Sequence, residues 1–305
     1  MFQKLHAITR YSWITAVFLL LAGFGLLHFG AVEYGSVFFL MFPLVVGFTI
    51  GTHPVKERVW LTIGLILLLF FGFLLVGQLE GFICVLMALP IYLVCLGIGY
   101  AVRKYVFKKA PPRVRETMDH FLFSLVPLIL LVVGDRVESY FFSPPERITV
   151  TSSASLDFPA EDVFHEVKAM DTLAAPRPWG IRWGLPAPYR CVLEADTVGA
   201  YRRCLFRNGY ILAQITQYQP GEVLEMDVID YTLTGREWFR FQDATYTFAR
   251  ENERTTITRT SSYSSTLRPR WYWEPIETWG IEQEHGFVLE SLRLNLRGAA
   301  GRGVN

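Results

Sequence analysis

The sequence predicts a chain in two halves: an α-helical membrane region, then an α+β domain of about seven antiparallel strands wrapped on a long C-terminal helix. Three observations predict it. Residues 13–29, 36–51, 59–77 and 82–102 contain no Asp, Glu, Lys or Arg, and about 20 apolar residues cross the roughly 30 Å hydrocarbon core of a bilayer. From Ser143 onward these runs give way to strand-like alternation, aromatics and charges of both signs. The closing stretch, Glu274 to Arg297, returns to helical spacing, with Ile281, His285, Val288, Leu292 and Leu296 on one face. The expected division is residues 1–135 for the membrane region and 143–305 for the soluble domain.

Lys4 and Arg10 precede the first run as in a signal peptide, but no small-x-small cleavage site follows and further runs do, so it reads as an uncleaved span. Lys56 and Arg58, then Arg103, Lys104, Lys108, Lys109, Arg113 and Arg115, fall in alternate loops, while the other loops carry only Glu33 and Glu80. The positive-inside rule makes the basic loops and the N-terminus cytoplasmic. A fifth apolar run, 121–134, holds 14 residues, about 21 Å of helix, short for a span. Basic residues before it and Asp135 with Glu138 after it favour crossing, which places the soluble domain on the non-cytoplasmic face; otherwise the run is re-entrant. Pro43, Pro90 and Pro127 read as local bends. No ionisable residue beyond His28 lies within the runs, which disfavours ion-driven transport.

In the second half, Arg147 to Leu156 alternates as a strand, and Glu161 to Met170 has Val163, Phe164 and Val167 at helical spacing. A loop dense in Pro, Gly and Trp follows, Ala174 to Pro188, and strand signals run from Tyr189 to Thr266. Three turns set the register. Thr197-Val198 pairs Cys191 with Cys204 and Leu193 with Arg202. Asn208-Gly209, a type I′ signal, pairs Phe206 with Ile211, Cys204 with Ala213 and Arg202 with Ile215. Pro220-Gly221 pairs Ile215 with Met226 and Ala213 with Val228. All three put one apolar face together, and a slip of one residue would invert it. The final helix is the element long enough to cover that face.

A strand, a helix, six further antiparallel strands and a long amphipathic helix form a specific order. The chain here resembles the SRPBCC superfamily, the START and polyketide-cyclase-like helix-grip proteins. The resemblance covers Arg147 to Leu296 and rests on PAEDVF (159–164), VGAYRRCLFRNG (198–209), TTITRT (255–260) and LRPRWYW (267–273). These motifs are structural. The resemblance implies an apolar cavity between sheet and helix, and a hydrophobic or amphipathic ligand such as a lipid. It leaves as alternatives a cyclase- or aromatase-like enzyme using the same cavity, or a structural, partner-binding membrane protein.

The residues that would line such a cavity are Trp179, Trp183, Trp273 and Trp279, with Trp271 nearby, at the loop and the helix entrance. Trp offers an apolar face and one donor; the alternative is that these rings fill the core or meet membrane headgroups. Met226, Tyr263 and His285 fall on the inner face. Arg202 does too, beside Leu193 and Ile215, and Arg259 shares that face with Ile257 and Tyr263. Two buried guanidiniums would grip a carboxylate or phosphate headgroup, or else form structural ion pairs, for instance with Asp230. Cys191 and Cys204 lie opposite each other, either as a cross-strand disulfide suited to an oxidising compartment or as free buried thiols. Cys84 and Cys95 read as small apolar residues of a span.

No catalytic signature is present: no GxSxG, no HExxH, no phosphate loop and no zinc-spaced cysteines, so neither metal nor cofactor is expected. The soluble half has only His165 and His285; His285 would serve the cavity as an acid or base or else be a hydrogen-bonded core residue, and Tyr231, Asp230 and Glu222 would assist proton transfer or else be solvated polar residues. The expected partners are the lipid bilayer and a hydrophobic small molecule. A net charge of +1 averages two unlike halves, and the soluble half has no basic tract, so nucleic acid is not expected.

Overall fold

The computed structural model describes residues 18–51, 82–107, 126–142, 145–251 apart from 234, 236 and 237, and 254–302, with the isolated residues Gly64, Gly72, Pro111 and Val114. The expected run 59–77 lies almost wholly outside these residues. The chain divides into two compact units, one of Met1–Pro144 with Thr266–Tyr272, the other of Pro145–Ser265 with Trp273–Asn305.

In the first unit, α1 is Phe18–His28, α2 is Val37–Ile50, α3 is Phe82–Val106 and α4 is Val126–Phe142. Among the described residues, only α3, at 25 residues, is long and apolar enough to cross a membrane, judged by length and composition; α1 and α2 are shorter apolar helices. The multi-span expectation thus reduces here to one candidate span. Gly47 and Gly99 let α2 and α3 meet backbone to backbone: a Cβ on Gly47 would strike the carbonyl of Leu96, and one on Gly99 that of Leu44. Helix α4 runs through Asp135 and Glu138 instead of ending before them. Both carboxylates can stay there because they serve as caps. Asp135 Oδ1 accepts from the Glu33 N–H at 2.8 Å, and Glu138 accepts from the N–H groups of Ser36 and Val37 at 2.8 and 3.0 Å, closing the start of α2. Most of the LRPRWYW motif belongs to this unit, with the Arg268 N–H donating to the Tyr34 carbonyl at 3.0 Å.

The second unit is one seven-stranded antiparallel sheet. Its strands are β1 Arg147–Leu156, β2 Pro188–Leu193, β3 Tyr201–Phe206, β4 Gly209–Gln219, β5 Val223–Tyr231, β6 Phe239–Glu251 and β7 Arg254–Ser265. Their order is β1-β7-β6-β5-β4-β3-β2, so each consecutive pair from β2 onward is a hairpin and β1 closes beside β7. Helices α5 (Ala160–Lys168) and α6 (Trp179–Arg182) lie between β1 and β2, and α7 is Arg270–Arg302. A sheet with one apolar face and a long C-terminal helix lying across it is the helix-grip arrangement. The α7 stripe is buried as its spacing predicts: Ile281, His285, Val288, Leu292 and Leu296 are all under 10 % exposed.

Two of the three turns give the predicted pairs: Cys191 faces Cys204, and Ile215 faces Met226. The third is displaced. Phe206 pairs with Gly209, Cys204 with Ile211 and Arg202 with Ala213, a shift of two residues that moves the turn to Arg207-Asn208. Because side chains alternate with period two, an even shift keeps every residue on its face. The inner face therefore survives the correction.

Candidate functional site

The register lines up inner-face residues across the sheet. Ser152, Arg259, Tyr246 and Leu224 share one row, and Val150, Ser261, Ala244, Met226 and Ile215 the next. Helix α7 lays Glu284 and His285 onto these rows. Arg259 forms a two-pronged ion pair with Glu284, at 3.2 Å from Nη1 and 2.8 Å from Nη2. Burial disfavours its charge, yet Glu284 outweighs that and holds the guanidinium above its ordinary pKa. His285 is fully buried, with Nδ1 at 3.0 Å from the Ser152 hydroxyl and Nε2 at 2.9 Å from that of Ser261. One hydroxyl accepts from the ring N–H and the other donates to the bare nitrogen, so the imidazole ties α7 to β1 and β7 as a neutral group. Burial, aided by Arg259, pushes its pKa down to about 2.

Arg202 solves its burial differently. Its Nε donates to the Lys168 carbonyl at 3.1 Å and Nη2 to that of Val167 at 2.9 Å, so it caps the C-terminal end of α5. Nη1 rests on the Met226 sulfur at 3.7 Å. Both guanidiniums face the Tyr246 ring, at 5.9 Å for Arg202 and 5.4 Å for Arg259. The inner face thus brings Arg202, Met226, Arg259 and His285 together, but with both arginines engaged inside the chain. The partner weighed for them in the sequence, Asp230, instead accepts from the Tyr210 hydroxyl at 2.6 Å.

This polar belt separates two apolar clusters. On β1 it falls between Val150 and Leu156, on β7 between Tyr263 and Ile257, and on α7 between Ile281 and Val288. The larger cluster, beneath α5, is sealed at its centre, where Val163, Val167, Leu224 and Ile257 have no exposed surface, and carries partly buried residues such as Phe158, Leu185 and Tyr218 at its edge. The smaller consists of Val150, Tyr263 and Ile281, with Ile148, Phe239 and Phe241 against it and only partly buried. Here rings meet in a chain. Tyr231 lies 5.7 Å from Phe241, Phe241 4.8 Å from Phe239, and Phe239 stacks on Tyr263 at 4.5 Å. Tyr263 donates to Glu277 at 3.2 Å, and the Ser265 hydroxyl to the same carboxylate at 2.7 Å. Since Glu277 belongs to α7, this ring wall faces the helix side of the sheet.

The tryptophans expected at one mouth divide. Trp179 and Trp279 are 4.7 Å apart and Trp179 and Trp183 6.4 Å apart, whereas Trp273 is buried elsewhere and Trp271 packs edge-on to Tyr272. Cys191 and Cys204 are joined as a disulfide. Of the acid–base candidates, Tyr231 donates to the Phe239 carbonyl at 2.6 Å, while Glu222 is exposed; His165 is exposed too. No group of three or more His, Cys, Asp or Glu among the described residues could hold a metal. Sequence reading missed Tyr246, Glu284, Glu277, Phe239 and Phe241. The stripe 277, 281, 284, 288 would have disclosed both acids, because it continues the apolar face of α7 one turn toward its start.

No family model and no curated protein matches the sequence. Solved structures similar to it include Ara h 8.0201 (11 % identity, TM-score 0.36, covering 50 % of this chain and 99 % of that one). Others are a START superfamily protein from Mycobacterium smegmatis (12 %, 0.36, 50 % and 98 %) and the Zhui aromatase/cyclase from Streptomyces sp. R1128 (12 %, 0.35, 50 % and 94 %). At such scores the helix-grip description stands on the strand order, the register and α7.

Proposed function

We propose that the second unit holds a hydrophobic or amphipathic molecule between α7 and the ring wall, on a chain that its N-terminal helices anchor in a membrane. One observation carries the reading: Phe239, Phe241 and Tyr231 face the inner side of the sheet yet are only half-buried. Apolar surface left partly in water gains from being covered, and a few polar groups nearby, here the belt and Glu277, suffice to orient a guest. With Arg202 and Arg259 occupied, the tail of the ligand supplies the affinity rather than a charged head. Helix α3 and the charge-free runs support the anchor. The basic loops and the Cys191–Cys204 disulfide support a non-cytoplasmic placement of the domain.

Native mass spectrometry of the full chain in mild detergent should show a co-purified apolar molecule, and a fluorescent fatty-chain probe should compete with it. Phe241→Ala should weaken the probe about tenfold, the loss of one ring's burial. Absence of probe binding to the parent protein, or equal affinity in the variant, would reject the ring wall as the site. Alkaline phosphatase fused after Asn305 should be active; fluorescence of a cytoplasm-only reporter there would reverse the topology.

A further inference from the structure

We infer that the short helix α6 and its flanks form a docking face for the headgroup layer of an anionic bilayer. The face is outward and apolar: Trp179 is 56 % exposed and Trp183 50 % exposed, on a helix whose Gly180 and Ile181 point inward. It is also rigid. Trp279 backs Trp179 at 4.7 Å, and any side chain on Gly180 would collide with Leu185 and Trp279. With Trp179 held from behind by Trp279 and Trp183 set edge-on to Trp179, the two rings lose little freedom on docking, which favours a surface built to be covered.

Charge selects the occupant. From Ala174 to Pro188 the chain carries Arg177 and Arg182, both exposed, and no acid. Indole rings prefer the depth of the headgroups, where the ring is shielded and the N–H stays wet. Guanidiniums beside them match phosphate oxygens in the same layer. A ligand inside the sheet is not required; the inference rests on the membrane-anchor reading only for proximity to a bilayer.

The test uses the full chain in nanodiscs of phosphatidylcholine, with or without phosphatidylglycerol, whose upper acyl chains are brominated. Subtracting the emission of W179F/W183F from that of the parent isolates these two rings from the other six tryptophans. More than half of that difference should be quenched in the anionic discs and clearly less in the neutral ones, and R177Q/R182Q should lower the anionic value to the neutral one. An unquenched difference in both compositions overturns the inference. So does self-association that W179F/W183F abolishes without any quenching, which would assign the face to a second copy. Should carbonate wash the chain from the discs, the anchor reading falls. The docking face is then judged by flotation with anionic vesicles: binding lost in W179F/W183F supports it and binding retained overturns it.

Discussion

The two ends of the inner face share strands and differ in what closes them. Beneath α5, Phe164 meets Tyr218 at 5.1 Å and Phe248 at 5.5 Å, and Val163 and Val167 are sealed against Leu224 and Ile257. Past the polar belt, α7 is the only helix in the apolar cluster among the described residues, represented by Ile281, and Phe239 and Phe241 stay half-buried. One helix is about 10 Å wide, too narrow to seal seven strands. The second helix completes one end; at the other, no second helix joins the cluster among the described residues. The belt of Arg259, Glu284 and His285 marks the border, and it holds α7 in place where apolar packing alone would let the helix slide.

The largest expected effect breaks the comparison at its closed end. Phe164→Ala should cost about 3–5 kcal/mol, the range for deleting a buried aromatic ring from a packed core. Phe241→Ala should cost less than half of that, because its ring is already partly in water. Guanidinium unfolding of the full chain in detergent would measure both. Equal losses would mean that the ring wall is ordinary core, and the ligand site would go with it.

A smaller effect concerns Arg202. Arg202→Met keeps apolar bulk on Met226 but strips two charged hydrogen bonds from the carbonyls of Val167 and Lys168. Hydrogen bonds to charged groups contribute about 1.5–3 kcal/mol each; water can reach the half-buried Lys168 in part, but the Val167 carbonyl would be orphaned in the interior, so a total near the upper figure is expected. Probe affinity should change equally little for anionic and neutral fatty chains. A selective loss of the anionic probe would instead restore Arg202 as a headgroup anchor.

The sequence disclosed the architecture through alternation and turns, which are local signals. The α7 stripe and the Cys191–Cys204 pairing follow from spacing alone, and even the displaced turn at Arg207-Asn208 left the faces unchanged. What stayed hidden were partnerships across the chain. Nothing near Arg202 in sequence points to the carbonyls of residues 167 and 168, since a helix end offers acceptors whatever its side chains are. Glu284 lies 25 positions from Arg259, and only the descent of α7 onto β7 joins them. The degree of burial of Phe241 was equally out of reach, because it depends on which helices cover which rows.

The finest distinction is a matter of pH and tests whether the belt is a structural border. His285 has a folded pKa of about 2 against 6.5 for the free side chain. The unfolded chain therefore takes up a proton near pH 6.5 that the native state refuses. Its contribution is fully present above that pH and is lost as pH falls from 6.5 toward 2, at up to about 1.4 kcal/mol per pH unit. His285→Gln removes this proton while its amide can still donate to one serine and accept from the other. Parent and variant should differ little at neutral pH, at most by the cost of repacking the ring. Between pH 6 and 4 the parent should lose stability more steeply, by roughly that slope. Parallel acid curves would mean that the imidazole titrates normally in the folded chain, and a belt open to water at its centre would no longer divide the sheet into a closed end and an open one.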